Sequence, residues 1–262
     1  MENQIVLSQS AEIARIEIDM QVATAKQYPR DEEKVIKKVH KLATLNKEIS
    51  CECFYSKPVG EGKTATGESI RFAEIVSSVW GNLRIKTYIK EETSKNIVAV
   101  AEGVDNETNT AISCEVSRSI TTKSGYRYSE SQIEVTKLAA QAIARRNVIF
   151  QLIPKGLFSE TIEKIKDFSV GKNEQVSKDA FLTSVKKVLQ AFKKYKIEEN
   201  VVFEKIGVKS VEEITQDLLK DLIGFGTALK EGATVEDIFG KSDIFGIEKE
   251  VNKENLFDNA NS

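Results

Sequence analysis

Tyr126–Pro154, YRYSESQIEVTKLAAQAIARRNVIFQLIP, is the segment from which the architecture can be built. Ser129 or Ser131 is placed to cap a helix, and Pro154 to stop it. Between them Val135, Leu138, Ala142, Ile149 and Leu152 recur at spacings of three, four and seven, which predicts one long helix with an apolar seam. Arg145 and Arg146 lie beside that seam. From Lys137 to Lys155 the charged residues are Lys137, Arg145, Arg146 and Lys155, with no acid among them. One-signed charge next to a packed seam points either to an anionic partner or to carboxylates from elsewhere in the fold, and the helix alone leaves both open.

Upstream of this helix, residues 82–91, 95–105 and 110–121 read as strands. The polar stretches between them suit hairpins, which predicts an antiparallel meander. The first strand alternates: Leu83, Ile85, Thr87 and Ile89 point to one face, and Arg84, Lys86, Tyr88 and Lys90 to the other. One face is core and the other a basic stripe. Such a stripe suits a single-stranded polynucleotide, since cations meet phosphates while an aromatic ring stacks a base for about 1 to 3 kcal/mol. Lysines on exposed strands also guard against edge pairing, so the stripe has a structural explanation as well. In the third strand Arg118 shares a side with Ile112, Cys114, Val116 and Ile120, which places it at the sheet's rim or in an ion pair.

The remaining chain reads as helices over 10–25 and 30–45 separated by Pro29, a short strand over 48–56, and a helix over 67–80 carrying Arg71 and Glu74 three apart. Gly62-Lys63-Thr64 resembles the end of a phosphate-binding loop, but Lys57 stands where that loop needs its first glycine. Beyond Pro154 a helix covers 157–168. The divisions are a core over 1–170, a linker over 171–178, a helical C-terminal unit over 179–240 and a flexible acidic tail over 241–262. In the tail, Asp243-Ile244-Phe245-Gly246 repeats Asp237-Ile238-Phe239-Gly240, and Ile244 with Phe245 forms a candidate partner-docking peptide.

The 262 residues hold 38 basic and 40 acidic side chains, so nucleic-acid affinity requires local segregation of charge. Residues 118–155 supply it, with seven basic residues (Arg118, Lys123, Arg127, Lys137, Arg145, Arg146 and Lys155) against Glu130 and Glu134. Three cysteines and one histidine fit neither a disulfide framework nor a zinc site, so Cys51, Cys53 and Cys114 read as strand thiols and no cofactor or metal is expected. The apolar runs are short, and a cytoplasmic chain that avoids membranes is expected. Glu68, Glu74, Glu102 and Asp105 show no metal-binding interval, which disfavours a metal-dependent nuclease.

Three segments, GESIRFAEIVSSVWGNLR (67–84), SRSITTKSGYRYS (117–129) and TKLAAQAIARRNVIFQLIPK (136–155), resemble the phage single-strand annealing recombinases, the broad group containing Redβ, RecT and Erf. The similarity covers residues 13–240. It implies a β-β-β-α annealing core, ring or helical homo-oligomers, and ATP-independent pairing of complementary DNA strands in bacteriophage recombination and repair. It also implies the cytoplasm of a bacterial host, with a single-strand binding protein or an exonuclease as a further partner.

The residues themselves suggest a groove between the meander and the long helix. Arg84, Lys86, Arg118, Lys123, Arg127, Arg145 and Arg146 would hold the sugar-phosphate backbone there, with Arg71 and Lys137 joining them. Tyr88, Tyr126 and Tyr128 would stack or hydrogen-bond. The same surface would serve a passive single-stranded DNA-binding accessory protein of phage replication.

Overall fold

The structure is a computed structural model that describes residues 2–59, 63–122, 124–172 and 177–240. Helices α1 (Glu2–Gln27), α2 (Glu32–Ala43) and α3 (Lys47–Glu52) precede a hairpin of β1 (Phe54–Pro58) and β2 (Thr64–Glu68), then α4 (Ile70–Trp80). The meander β3 (Leu83–Glu92), β4 (Asn96–Asp105), β5 (Thr110–Ser119) leads into α5 (Glu130–Leu152). A 3-10 turn over Lys155–Phe158 is followed by α6 (Ser159–Ser169), α7 (Lys178–Lys193), α8 (Glu199–Ile206), α9 (Gln216–Lys230) and α10 (Val235–Phe239). The class is α+β, and the three-stranded antiparallel meander packs on the long helix as its alternation and its Pro154 stop require.

The helix buries only the C-terminal part of the expected seam, Ile149 fully and Leu152 in part. Ile133, Ala140, Ala144 and Val148 face the sheet, whereas Val135 is 36% and Leu138 66% exposed. The reason is closeness of approach. Ala140 and Ala144 lie against Ala99 and Ala101 of β4, and a Cβ at Gly103 would collide with Val148 and come within 2.6 Å of Leu152. A stripe of small residues on both sides lets the helix sit low on the sheet, so the larger Val135 and Leu138 are left on the far side.

Residues 48–56 are not one strand, and the helix expected from residue 67 begins later. Asn46 caps α3 by accepting from the Ile49 N–H at 2.9 Å, β1 pairs antiparallel with β2, and Ser69 caps α4. Cys51 therefore lies in a helix and Cys53 at its C-terminal cap, not in a strand. Burial pushes both thiols up, to about 11 and about 12, which keeps them protonated at neutral pH.

The helices over 179–240 add their apolar side chains to the same buried cluster as the N-terminal elements: Leu189, Phe192, Leu222 and Phe225 join Val39, Phe54, Phe72 and Phe158. Helix α9 crosses β1 at Gly224, where a Cβ would collide with the Ser56 side chain and lie 2.8 Å from the Ser56 backbone nitrogen. Ordinarily Gly→Ala inside a helix gains about 1 kcal/mol. Here Gly224→Ala should instead cost roughly 1 to 3 kcal/mol through overpacking, read as a lowered Tm.

A buried ion cluster ties α2's approach to the meander. The Arg30 guanidinium donates to both Asp105 oxygens at 2.5 and 2.6 Å and to Glu107 at 2.9 Å, and it lies 4.6 Å from the Trp80 ring centroid. Burial works to raise the Glu107 carboxyl, yet the Asn82 amide and the N–H and guanidinium of Arg30 outweigh it and hold the group below its usual range.

Helix α1 contrasts with the rest. Of its described side chains only Ala25 is buried, and Ile13, Ile16, Ile18 and Met20 stand exposed.

Candidate nucleic-acid interface

The phase of the meander fixes which side chains can share a surface. Residues directly opposite each other in an antiparallel pair share a face. Ile85 pairs with Gly103, and Gly103 abuts Val148 and Leu152 of α5. Arg84, Lys86 and Tyr88 therefore project from the face turned away from α5. The expected groove holding both the strand cations and the α5 arginines does not form, because the sheet itself stands between them. The alternation of the first strand already contained this answer: if the apolar set packs on the helix, the basic set cannot.

On the face away from α5, Arg84, Lys86, Glu102, Ser113, Glu115 and Ser117 are exposed among the described residues. Arg84 and Lys86 have no carboxylate partner among the described residues. Lys86 stands opposite Glu102, but Glu102 instead accepts the Tyr88 hydroxyl at 2.8 Å, and the Lys86 ammonium lies 5.6 Å from the Tyr88 ring centroid. That hydrogen bond to Glu102 raises the Tyr88 phenol above its usual value. Lys90, at a register shift in the β3–β4 pairing, forms an ion pair with Glu115 at 2.5 Å. Along β3, Arg84, Lys86 and Tyr88 recur every second residue, about 6.6 Å apart, on one open face.

The other candidates divide into paired, buried and isolated groups. Arg71 pairs with Glu74 at 2.9 Å within α4. Arg127 pairs with Glu92 at 2.6 Å and donates to the Thr93 carbonyl, while Lys137 holds Glu134 at 2.6 Å and Glu92 at 2.9 Å. Hydrogen bonds from Lys137 and Arg127 keep the Glu92 carboxyl below its usual range. Tyr128 is half-buried against the Ile97, Ile120 and Ile133 cluster, so it serves packing, whereas Tyr126 is 76% exposed. Arg118 sits at the rim, half-buried on the helix side, with a guanidinium nitrogen 4.0 Å from where a Gly232 Cβ would lie. Lys123, Ile244 and Phe245 lie outside the described residues.

Arg145 and Arg146, adjacent in sequence, differ completely. Arg145 is exposed with no partner among the described residues. Arg146 reaches the buried Glu231 at 3.2 Å and lies 5.1 Å from the Tyr55 ring centroid. Burial pushes the Glu231 carboxyl up, opposed by the Ile70 N–H that it accepts at 2.7 Å and by the Arg146 charge. Arg146→Ala should thus cost stability, about 3 kcal/mol, by leaving a largely buried carboxylate with the Ile70 N–H but without its guanidinium partner. Arg145→Ala should leave the thermal transition within about 0.5 kcal/mol of the native one, and parallel denaturation curves check both.

Each acid considered for a metal site is held by another partner: Glu68 by Lys155, Glu74 by Arg71, Glu102 by Tyr88 and Asp105 by Arg30. Among the described residues no group of three or more His, Cys, Asp and Glu side chains is placed to hold a metal ion, and no helix is long and apolar enough to cross a membrane. No family model, no curated protein and no solved structure matches the chain.

Proposed function

We propose that the chain binds single-stranded DNA on the open face of the meander and pairs complementary strands without ATP, in phage recombination within a bacterial host cytoplasm. The observation that carries this reading is the set Arg84, Lys86 and Tyr88: two exposed cations without carboxylate partners among the described residues, beside an aromatic ring, on the sheet face turned away from α5. The cations neutralise successive phosphates of an extended strand, and the ring supports a base without reading its identity. Held this way, the remaining base edges stay available to a second strand. Arg145 stands on α5, across the sheet from this face, and neither it nor the exposed Tyr126 is needed for this contact.

Annealing also needs many such faces side by side, because one contact of this size is weak and linked contacts multiply it. We place the self-association on α1, where the exposed Ile13, Ile16, Met20 and Ala23 follow the three-four-three spacing of a helix-pairing seam. Ile16→Asp should shift the chain toward monomer in sedimentation, with an unchanged circular dichroism spectrum. The functional test mixes two complementary oligonucleotides with the protein in the absence of ATP. Faster duplex formation supports annealing, slower formation supports the passive binder, and shortened strands would overturn both.

A further inference from the structure

The four residues at 237–240 recur unchanged at 243–246 as Asp-Ile-Phe-Gly. The first copy is docked onto the fold. Asp237 caps α10 by accepting from the Thr234 N–H at 2.9 Å, while Ile238 is fully buried. The Phe239 ring meets Phe192 edge-on at 5.6 Å and Phe225 at 6.3 Å. Phe192 itself is only 1% exposed. It also lines an open apolar cleft of about 490 Å³ between α3, α7 and α9, together with Val188, Ala191, Tyr195, Leu222 and Gly226. Lys187 and Lys230 stand on the cleft's rim; Lys230 is paired with Glu52 at 2.9 Å, and Lys187 has no carboxylate partner among the described residues.

We propose that this cleft is the receptor for the second copy, taking Ile244 and Phe245 of the same chain with Asp243 toward Lys187. The chemistry matches, since an adjoining surface of the same protein already holds an identical Ile-Phe pair and shares Phe192 with the cleft. The reach suffices. From Gly240 to Phe245 the backbone spans up to about 17 Å, and the end of α10 already touches a cleft wall. The cleft's lining charges balance, Lys187 and Lys230 against Glu48 and Glu52, so the charge match is local: Asp243 meets Lys187, the lysine without a carboxylate partner among the described residues. A tether this short supplies an effective concentration on the order of millimolar, so a modest intrinsic affinity fills the cleft. The tail then acts as a latch: while seated, its two apolar anchors are withheld from any other protein. This inference does not depend on nucleic-acid binding.

The test uses the full-length chain and a fluorescent peptide copying residues 241–250. Phe245→Asp should vacate the cleft and bind the added peptide about tenfold more tightly than the unaltered chain, whose own tail competes. Adding Gly226→Phe should abolish that binding, because a side chain at Gly226 meets nothing within 4 Å and projects into the cleft. Lys187→Glu, on the exposed rim, should weaken the peptide severalfold without touching the cleft floor, and it keeps the test decisive if Gly226→Phe fails to fold. Equal binding by the unaltered and Phe245→Asp chains, absence of binding to Phe245→Asp, or indifference to Lys187→Glu would overturn the proposal. If Phe245→Asp instead dissolves a dimer in sedimentation, a neighbour's tail occupies the cleft and the same-chain assignment is wrong.

Discussion

Arg30→Met should unfold at a temperature roughly 10 °C below the native chain, from a loss of about 3 to 5 kcal/mol. The Arg30 and Asp105 side chains are only 7% and 3% exposed, and Glu107 is 17% exposed. Removing the cation leaves two carboxylates with a shared, largely dry environment and no counter-charge. The methionine keeps the apolar length over Trp80, so the loss reports the ion cluster and not the packing beneath it. A pH series provides the sign. The Glu107 carboxyl is held below its usual range in the folded state, so its stabilising contribution is present above the unfolded carboxylate range and is lost as pH falls through the folded value. The gap in Tm between native and Arg30→Met chains should narrow as the solution is acidified.

Arg84→Ala with Lys86→Ala should weaken oligonucleotide binding roughly thirtyfold, taking about 1 kcal/mol for each exposed phosphate contact. The salt dependence should change with it. Removing two phosphate contacts to a single strand lowers the slope of log affinity against log salt by about 1.4. The fold should not register the change, because both side chains are exposed and neither holds a carboxylate among the described residues. Tyr88→Leu should act differently: it removes the stacking surface and the hydrogen bond to Glu102, so affinity falls while the salt slope stays the same.

The meander was legible because strand alternation and polar hairpin residues carry it locally, and α5 because Ser129 and Pro154 mark its ends. The β1–β2 hairpin was not. Thr64–Glu68 is polar and contains Gly67, and its partner Phe54–Pro58 is a strand because α9 packs across it at Gly224, a contact from far along the chain. The N-terminal half of the α5 seam differs from its periodicity for a related reason, while Ile149 is buried as the spacing predicts. Periodicity weighted by bulk selects Val135 and Leu138, while the sheet selects Ala140 and Ala144, the side chains that permit close approach.

In the candidate site, the basic face of the first strand could be read directly, since alternation alone separates it from the core. The fate of the arginines could not. Arg146 is structural because Glu231, 85 residues later, folds back beneath it, and Arg127 and Lys137 are drawn into one cluster by Glu92. Nothing local marks Arg30, which follows Pro29 and precedes a helix rich in charge. Its two carboxylate partners lie in and just after β4, and no local pattern links them.

Lysine-reactive footprinting of the full-length protein, with and without an oligothymidylate, tests the open sheet face most directly. Lys86 should lose its reactivity when the oligonucleotide is bound, while Lys34 on α2 and Lys187 on α7 keep theirs. Unchanged reactivity at Lys86 under saturating oligonucleotide would contradict the account.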